Sequence, residues 1–208
     1  MSLSTCQRCG TCCRKGGPAL HLEDLQLLDD IPMSDLVCLR RGELAFDPRF
    51  DSLQPLPREL LKIRGKEMGW ECVYYSREDK SCTIYGHRPL ECRSLFCADN
   101  DKILQAMDAP GLSRSDVIDN KSGLWGCIAD HEKLFPVERA IRLAKSEAGA
   151  ALAICPELDE MIRLEMHFRQ SLAEKVQAQD TDLWAYLGRP LWLVLSPLNR
   201  SLLRYERM

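Results

Sequence analysis

No secretory leader is expected from the opening residues: Met1-Ser-Leu-Ser-Thr-Cys6 has neither a basic start nor an apolar stretch. It has no apolar run near the roughly 20 residues that cross a bilayer. The longest such piece near the C-terminus, Leu191-Trp-Leu-Val-Leu195, is far shorter. No membrane span is expected, and the expected compartment is a reducing cytoplasm. Positive charge is not in surplus: 28 Lys and Arg face 31 Asp and Glu, for a net charge of −3. No nucleic-acid partner held by bulk electrostatics is expected from that balance. A P-loop and a Gly-x-Gly-x-x-Gly turn are missing, as is the Cys-x3-Cys-x2-Cys spacing of radical-SAM enzymes. Histidine is scarce at four residues. Internal repeats and low-complexity runs are absent too.

Cysteine is plentiful instead. Eight of the eleven fall into two clusters: Cys6, Cys9, Cys12 and Cys13 within one short knuckle, and Cys72, Cys82, Cys92 and Cys97 further on. In a reducing compartment thiols this dense are metal ligands rather than disulfides. A Cys-x2-Cys turn aims two thiolates at one ion, and Cys6-x2-Cys9-x2-Cys12 extends this to three. The spacing suits three ligands of a ferredoxin-type cluster, or a zinc knuckle completed from elsewhere. Adjacent side chains usually point apart, so Cys13 is expected to serve a second centre, to bridge two metals or to stay free. Soft thiolate sites accept iron and zinc alike. The triplet and the lack of histidine within the clusters favour iron, as an Fe–S cluster. Four thiolates on a zinc ion, or on a [4Fe–4S]²⁺ cluster, leave a double negative charge that needs cations nearby. Arg8, Arg14, Lys15, Arg88 and Arg93 are placed for that. Cys38, Cys127 and Cys155 stand alone and read as buried free thiols. His87 and His131 read as structural. Glu23, Asp24, Tyr85 and His87 are the nearest candidates for a polar pocket, although capping and surface roles explain them as well.

The fold is expected to be mainly α with a short β-hairpin: an irregular cysteine-rich, metal-stapled core plus a C-terminal helical extension. Residues 1–130 form the expected cysteine-cluster domain, and 131–208 the extension packed on it. Leu22, Leu25 and Leu28 share a helical face over 21–29, with Glu23 and Asp24 in its first turn. Residues 43–60, with three prolines, read as loop. Residues 70–75 and 82–85 read as a hairpin around a polar turn, and Pro89 opens a helix carrying Cys92 and closed by Cys97. Two helices follow, from Pro136 to Ile154 and from Pro156 onward. Their apolar positions Ile141, Leu152, Leu158, Ile162, Phe168 and Leu172 predict an antiparallel pair docked on the core, with Leu191, Trp192 and Leu195 covering the join.

Together, Cys6-x2-Cys9-x2-Cys12-Cys13 and Cys82-Thr-Ile-Tyr-Gly-His-Arg-Pro-Leu-Glu-Cys92-Arg resemble the YkgJ-type cysteine-cluster proteins, the CxxCxxCC zinc- or iron-chelating family. The resemblance covers residues 6–97. It implies that all eight clustered cysteines are metal ligands and that the cofactor is iron, as an Fe–S cluster, or zinc. It carries over no catalytic residue, and whether the chain is an enzyme stays open. A structural or accessory metal-binding role is the first expectation, with room for a protein partner. The alternatives are an Fe–S-dependent protein-modifying enzyme, since one branch of the family includes flagellin lysine N-methylases, or a metal carrier with Cys13 or Cys38 as a labile ligand.

Overall fold

The structure, a computed structural model, describes residues 9–96, 101–146 and 154–207. The chain enters through a short helix, α1 (Thr11–Lys15), and a 3-10 helix over Leu22–Asp29. Six short strands follow: β1 (Leu36–Leu39), β2 (Leu44–Asp47), β3 (Ser52–Pro55), β4 (Leu60–Ile63), β5 (Tyr75–Ser76) and β6 (Ser81–Cys82). They form three antiparallel pairs, β1 with β4, β2 with β3 and β5 with β6. The rest is helical: α2 (Leu90–Ser94), α3 (Asp101–Asp108), α4 (Arg114–Val117), α5 (Gly123–Leu134), α6 (Val137–Ser146), α7 (Pro156–Val176), α8 (Trp184–Leu187) and α9 (Leu191–Leu195). The architecture is mainly helical with small antiparallel β elements. No helix among the described residues is long and apolar enough to cross a membrane.

Two expectations are corrected. Residues 43–60 are not loop, because β2 pairs Leu44 to Asp47 with Pro55 to Ser52, and β4 begins at Leu60. Pro55 closes its strand, where a missing N–H costs least. The segment over 21–29 is not an amphipathic α-helix packed through its leucines. Leu22 and Leu25 are exposed, while Asp24 is fully buried. Asp24 accepts hydrogen bonds from the His21 N–H at 3.0 Å and from the Leu90 N–H at 2.9 Å. Those bonds turn Asp24 inward and leave Leu22 and Leu25 outside, while Leu27 and Leu28 pack against the first core.

The first core gathers Leu20, Ile31, Leu36, Cys38, Leu61 and Leu112 around the β1–β4 pair, where Cys38 lies opposite Leu61. Strand alternation buries Leu61 and Ile63 on one face of β4 and turns Lys62 to the other. The second core holds Ile141, Leu158, Ile162, Leu191, Trp192 and Leu195, so α6, α7 and α9 pack together as their apolar periodicity requires. Helix α7 opens with Pro156 at its first turn and closes at Gln177 in the left-handed region. Leu152, and the expected end of the preceding helix at Ile154, fall in or against a segment outside the described residues. Leu191, Trp192 and Leu195 belong to the second core, against which Leu44 of β2 packs. Ala185 and Tyr186 of α8 pack in the first core.

Buried charges tie the two cores. The Arg40 guanidinium donates to Glu132 at 2.8 and 2.9 Å and to the Phe135 carbonyl at 2.5 Å. Arg114 donates to Glu59, to Glu132 at 2.8 Å and to the Tyr186 carbonyl at 2.5 Å. Arg169 donates to Glu165 at 3.1 Å and to the Gly188 carbonyl at 3.0 Å, and His131 Nε2 lies 3.2 Å from the same Glu165. Helix α5, which carries Glu132, crosses residue 130, the boundary expected between the two parts.

Candidate metal centre

Cys9, Cys12, Cys13, Cys72, Cys82 and Cys92 all line one cavity of about 250 Å³. Four separate stretches of chain deliver them. Helix α1 carries Cys12 and Cys13, and Gly10 caps it in the left-handed region at φ 72°. A side chain there would meet Tyr75: an added Cβ would lie 2.2 Å from the Tyr75 hydroxyl oxygen. Bare Gly10 therefore lets the knuckle close onto the buried Tyr75 ring. Tyr75 pairs with Cys82 across β5 and β6, which sets the hairpin thiol beside the knuckle. Cys72 lies before the hairpin rather than in a strand of it, bridged to Gly65, and its N–H donates to the Cys13 carbonyl at 2.8 Å. Cys92 sits mid-way along α2, whose start is held by the bond from Leu90 to Asp24. Ile63, Ile84, Leu95, Phe96 and Ile103 supply apolar wall between the sulfurs.

The sulfurs of Cys12 and Cys13 are 3.9 Å apart and face the same cavity, so these neighbours do not point apart as expected. Two sulfurs bonded to one ion at about 2.3 Å stand roughly 3.8 Å from each other. Among the described residues no three His, Cys, Asp or Glu side chains are grouped closely enough to hold an ion. Cys6 and Cys97 lie outside the described residues. The donor chemistry nevertheless fits a soft metal, with six thiols converging on a cavity whose wall between them is largely apolar.

Protonation follows the same crowding. Burial and the neighbouring Cys12 thiol push Cys13 up to about 12. Burial lifts Cys72 to about 11 and raises Cys82 and Cys92 as well. Cys9 goes the other way, lowered by its hydrogen bond with the Thr11 hydroxyl at 3.3 Å. Most of this wall is neutral thiol near pH 7, and metal entry would release its protons.

Of the expected cations, Arg88 lines the cavity, its guanidinium carbon 3.7 Å from the Tyr85 ring centroid. Arg14 acts on Cys9. Arg93 turns outward to the Arg88 carbonyl, Lys15 is exposed, and Arg8 lies outside the described residues. Sequence reasoning missed Lys62 and Lys66, both of which act on Cys72. It also missed a buried pair at the cavity edge. Glu91 lines the cavity, accepts from the Ala19 N–H at 2.8 Å and lies 3.3 Å from His21 Nε2. Glu91 stood within the cysteine motif and was legible there; His21 carried no signal. The imagined polar pocket does not form: Tyr85 lines the cavity, Asp24 is a buried cap, and Glu23 and His87 are exposed. The nine described cysteines are free, with Cys38 fully buried and Cys127 and Cys155 half-buried.

No curated protein and no solved structure matches the chain significantly. A family profile matches residues 5–110, just over half of the chain and the whole stretch that brings the eight clustered cysteines. The chain belongs to the CxxCxxCC family, whose domain is described as a "Putative zinc- or iron-chelating domain".

Proposed function

We propose that the eight cysteines Cys6, Cys9, Cys12, Cys13, Cys72, Cys82, Cys92 and Cys97 hold iron as an Fe–S cluster, in preference to a single zinc, and that the centre is structural or accessory. The observation that carries this reading is the convergence of six thiols from four stretches of chain on one cavity of about 250 Å³. A volume of that size suits a polynuclear cluster better than one tetrahedral ion gripped directly by its ligands. The apolar wall would keep water from the metal and its sulfides. A metal there would supply bonds between the knuckle, the hairpin and α2, which otherwise join through few hydrogen bonds. Residues 1–130 then form the metal domain, and 131–208 a helical extension packed on it. A reducing cytoplasm would keep the thiols available. Anaerobic purification with iron, zinc and acid-labile sulfide analysis tests the reading. Iron and sulfide in comparable amounts with a broad visible absorption support it. Stoichiometric zinc without sulfide overturns the Fe–S part, and a metal-free chain overturns the whole.

A further inference from the structure

Lys62 occupies an unusual place for a lysine. Strand β4 buries Leu61 and Ile63 in the first core, so Lys62 faces the other way, toward the chain that follows the knuckle. That chain pairs along the edge of β4: Ala19 bridges to Lys62, and the Ile63 N–H donates to the Pro18 carbonyl at 3.0 Å, with Lys62 half-buried beside it. The Lys62 ammonium nitrogen lies 3.6 Å from where a Cβ on Gly16 would sit, and Gly16 is part of the cavity wall. The Lys62 charge therefore rests directly behind the backbone that separates it from the thiols. Burial pushes Lys62 below the usual lysine range, opposed by Glu91, Glu43 and Cys72 and assisted by Arg189. Glu91 is already engaged, one oxygen by the Ala19 N–H and the other by His21. Among the described residues no carboxylate stands within ion-pair distance of the Lys62 ammonium.

We propose that Lys62 is a built-in counter-charge of the thiolate centre, a positioning residue that, behind the Arg88 that lines the cavity, offsets the negative charge the sulfurs develop on metal entry. This rests on the metal reading above. A thiolate centre carrying a double negative charge in a partly desolvated site gains most from a cation that is itself partly desolvated and held close to it. Lys62 is held on a strand, whereas Lys15 and Arg93 lie outside and are screened.

The test is a zinc titration of the full reduced chain against a chromophoric chelator, comparing wild type, Lys62→Met, Lys62→Gln and Lys62→Arg. Far-UV circular dichroism of each metal-free chain establishes folding first, and Lys62→Gln carries the comparison if Lys62→Met does not fold. The expected result is unchanged stoichiometry, zinc affinity about tenfold or more weaker without the charge, and recovery in Lys62→Arg. Wild-type affinity in the neutral variants overturns the inference and leaves the metal reading intact. Equal loss in Lys62→Arg also overturns it, by assigning the effect to shape. A wild-type chain that takes up neither zinc nor iron overturns both together.

Discussion

A few single atoms decide how the knuckle and the tail are held. At Gly10 the left-handed backbone costs a side-chain-bearing residue about 1–2 kcal/mol, and an added methyl would enter the Tyr75 ring. Gly10→Ala should therefore undock α1: hydrogen exchange over residues 11–15 and 72–76 should rise while α7 stays protected, and metal content should fall. Unchanged exchange in α1 would show that the contact does not hold the knuckle. His131 governs a different property. It is fully buried against Glu165, and burial lowers its basicity while Glu165 partly restores it. Below about pH 6.5 the unfolded chain takes up a proton at this position that the folded chain resists. Stability should accordingly be full above that pH and decline as pH falls toward the depressed value of the folded state, by up to about 1.4 kcal/mol per unit. Urea midpoints at pH 7.5 and 5.5 measure this, and His131→Gln should flatten the slope; an equal slope in the variant would assign it to other groups. Neither residue's role could be read from the sequence. Gly10 lies between clustered cysteines that account for the motif by themselves, and the partner of His131 is 34 positions away.

Among the elements, the segment Leu22–Asp29 separates periodicity from packing. Its leucines repeat at helical spacing, yet the 3-10 backbone and the Asp24 bonds rotate the buried side to Asp24, Leu27 and Leu28 and leave Leu22 and Leu25 exposed. Leu25→Ser should change stability by less than about 0.5 kcal/mol. Asp24→Ala should cost about 1–3 kcal/mol, because the His21 and Leu90 N–H groups lose their acceptor. Urea denaturation of the two variants checks the contrast, and a larger loss for Leu25→Ser would restore the amphipathic reading. Strands β1 to β4 were hidden for a related reason, unlike the β5–β6 hairpin, which the sequence marked. Each is four residues or fewer, and Pro48, Pro55 and Pro57 punctuate the region, so local signals favour turns. What makes them strands is pairing across distance: β1 finds β4 past the β2–β3 pair. The tail helices were legible because Ile141, Leu158 and Ile162 carry their own period and pack as that period demands.

At the scale of the whole molecule, the cysteine cluster was legible because its spacing is chemistry of local sequence, while the join between the parts was not. That join is made by Arg40 and Arg114 reaching Glu132, Phe135 and Tyr186, residues that carry no shared pattern. Ending the chain after Asp130 would remove all three partners and leave two buried guanidiniums without them. Breaking a buried pair costs about 3–5 kcal/mol, enough with the lost apolar cover of Ala185 to unfold a domain of ordinary stability. The fragment of residues 1–130 should be insoluble or non-cooperative in urea; a soluble, cooperatively folding fragment would make the extension an independent module. The central claim, that the two clusters act as one set of sulfur ligands, is tested most directly by X-ray absorption at the metal edge of the anaerobically purified chain. The predicted result is a first shell of sulfur alone, at about 2.3 Å if the metal is zinc, with a metal–metal contribution if it is an Fe–S cluster. A first shell dominated by nitrogen or oxygen near 2.0–2.1 Å would contradict the account.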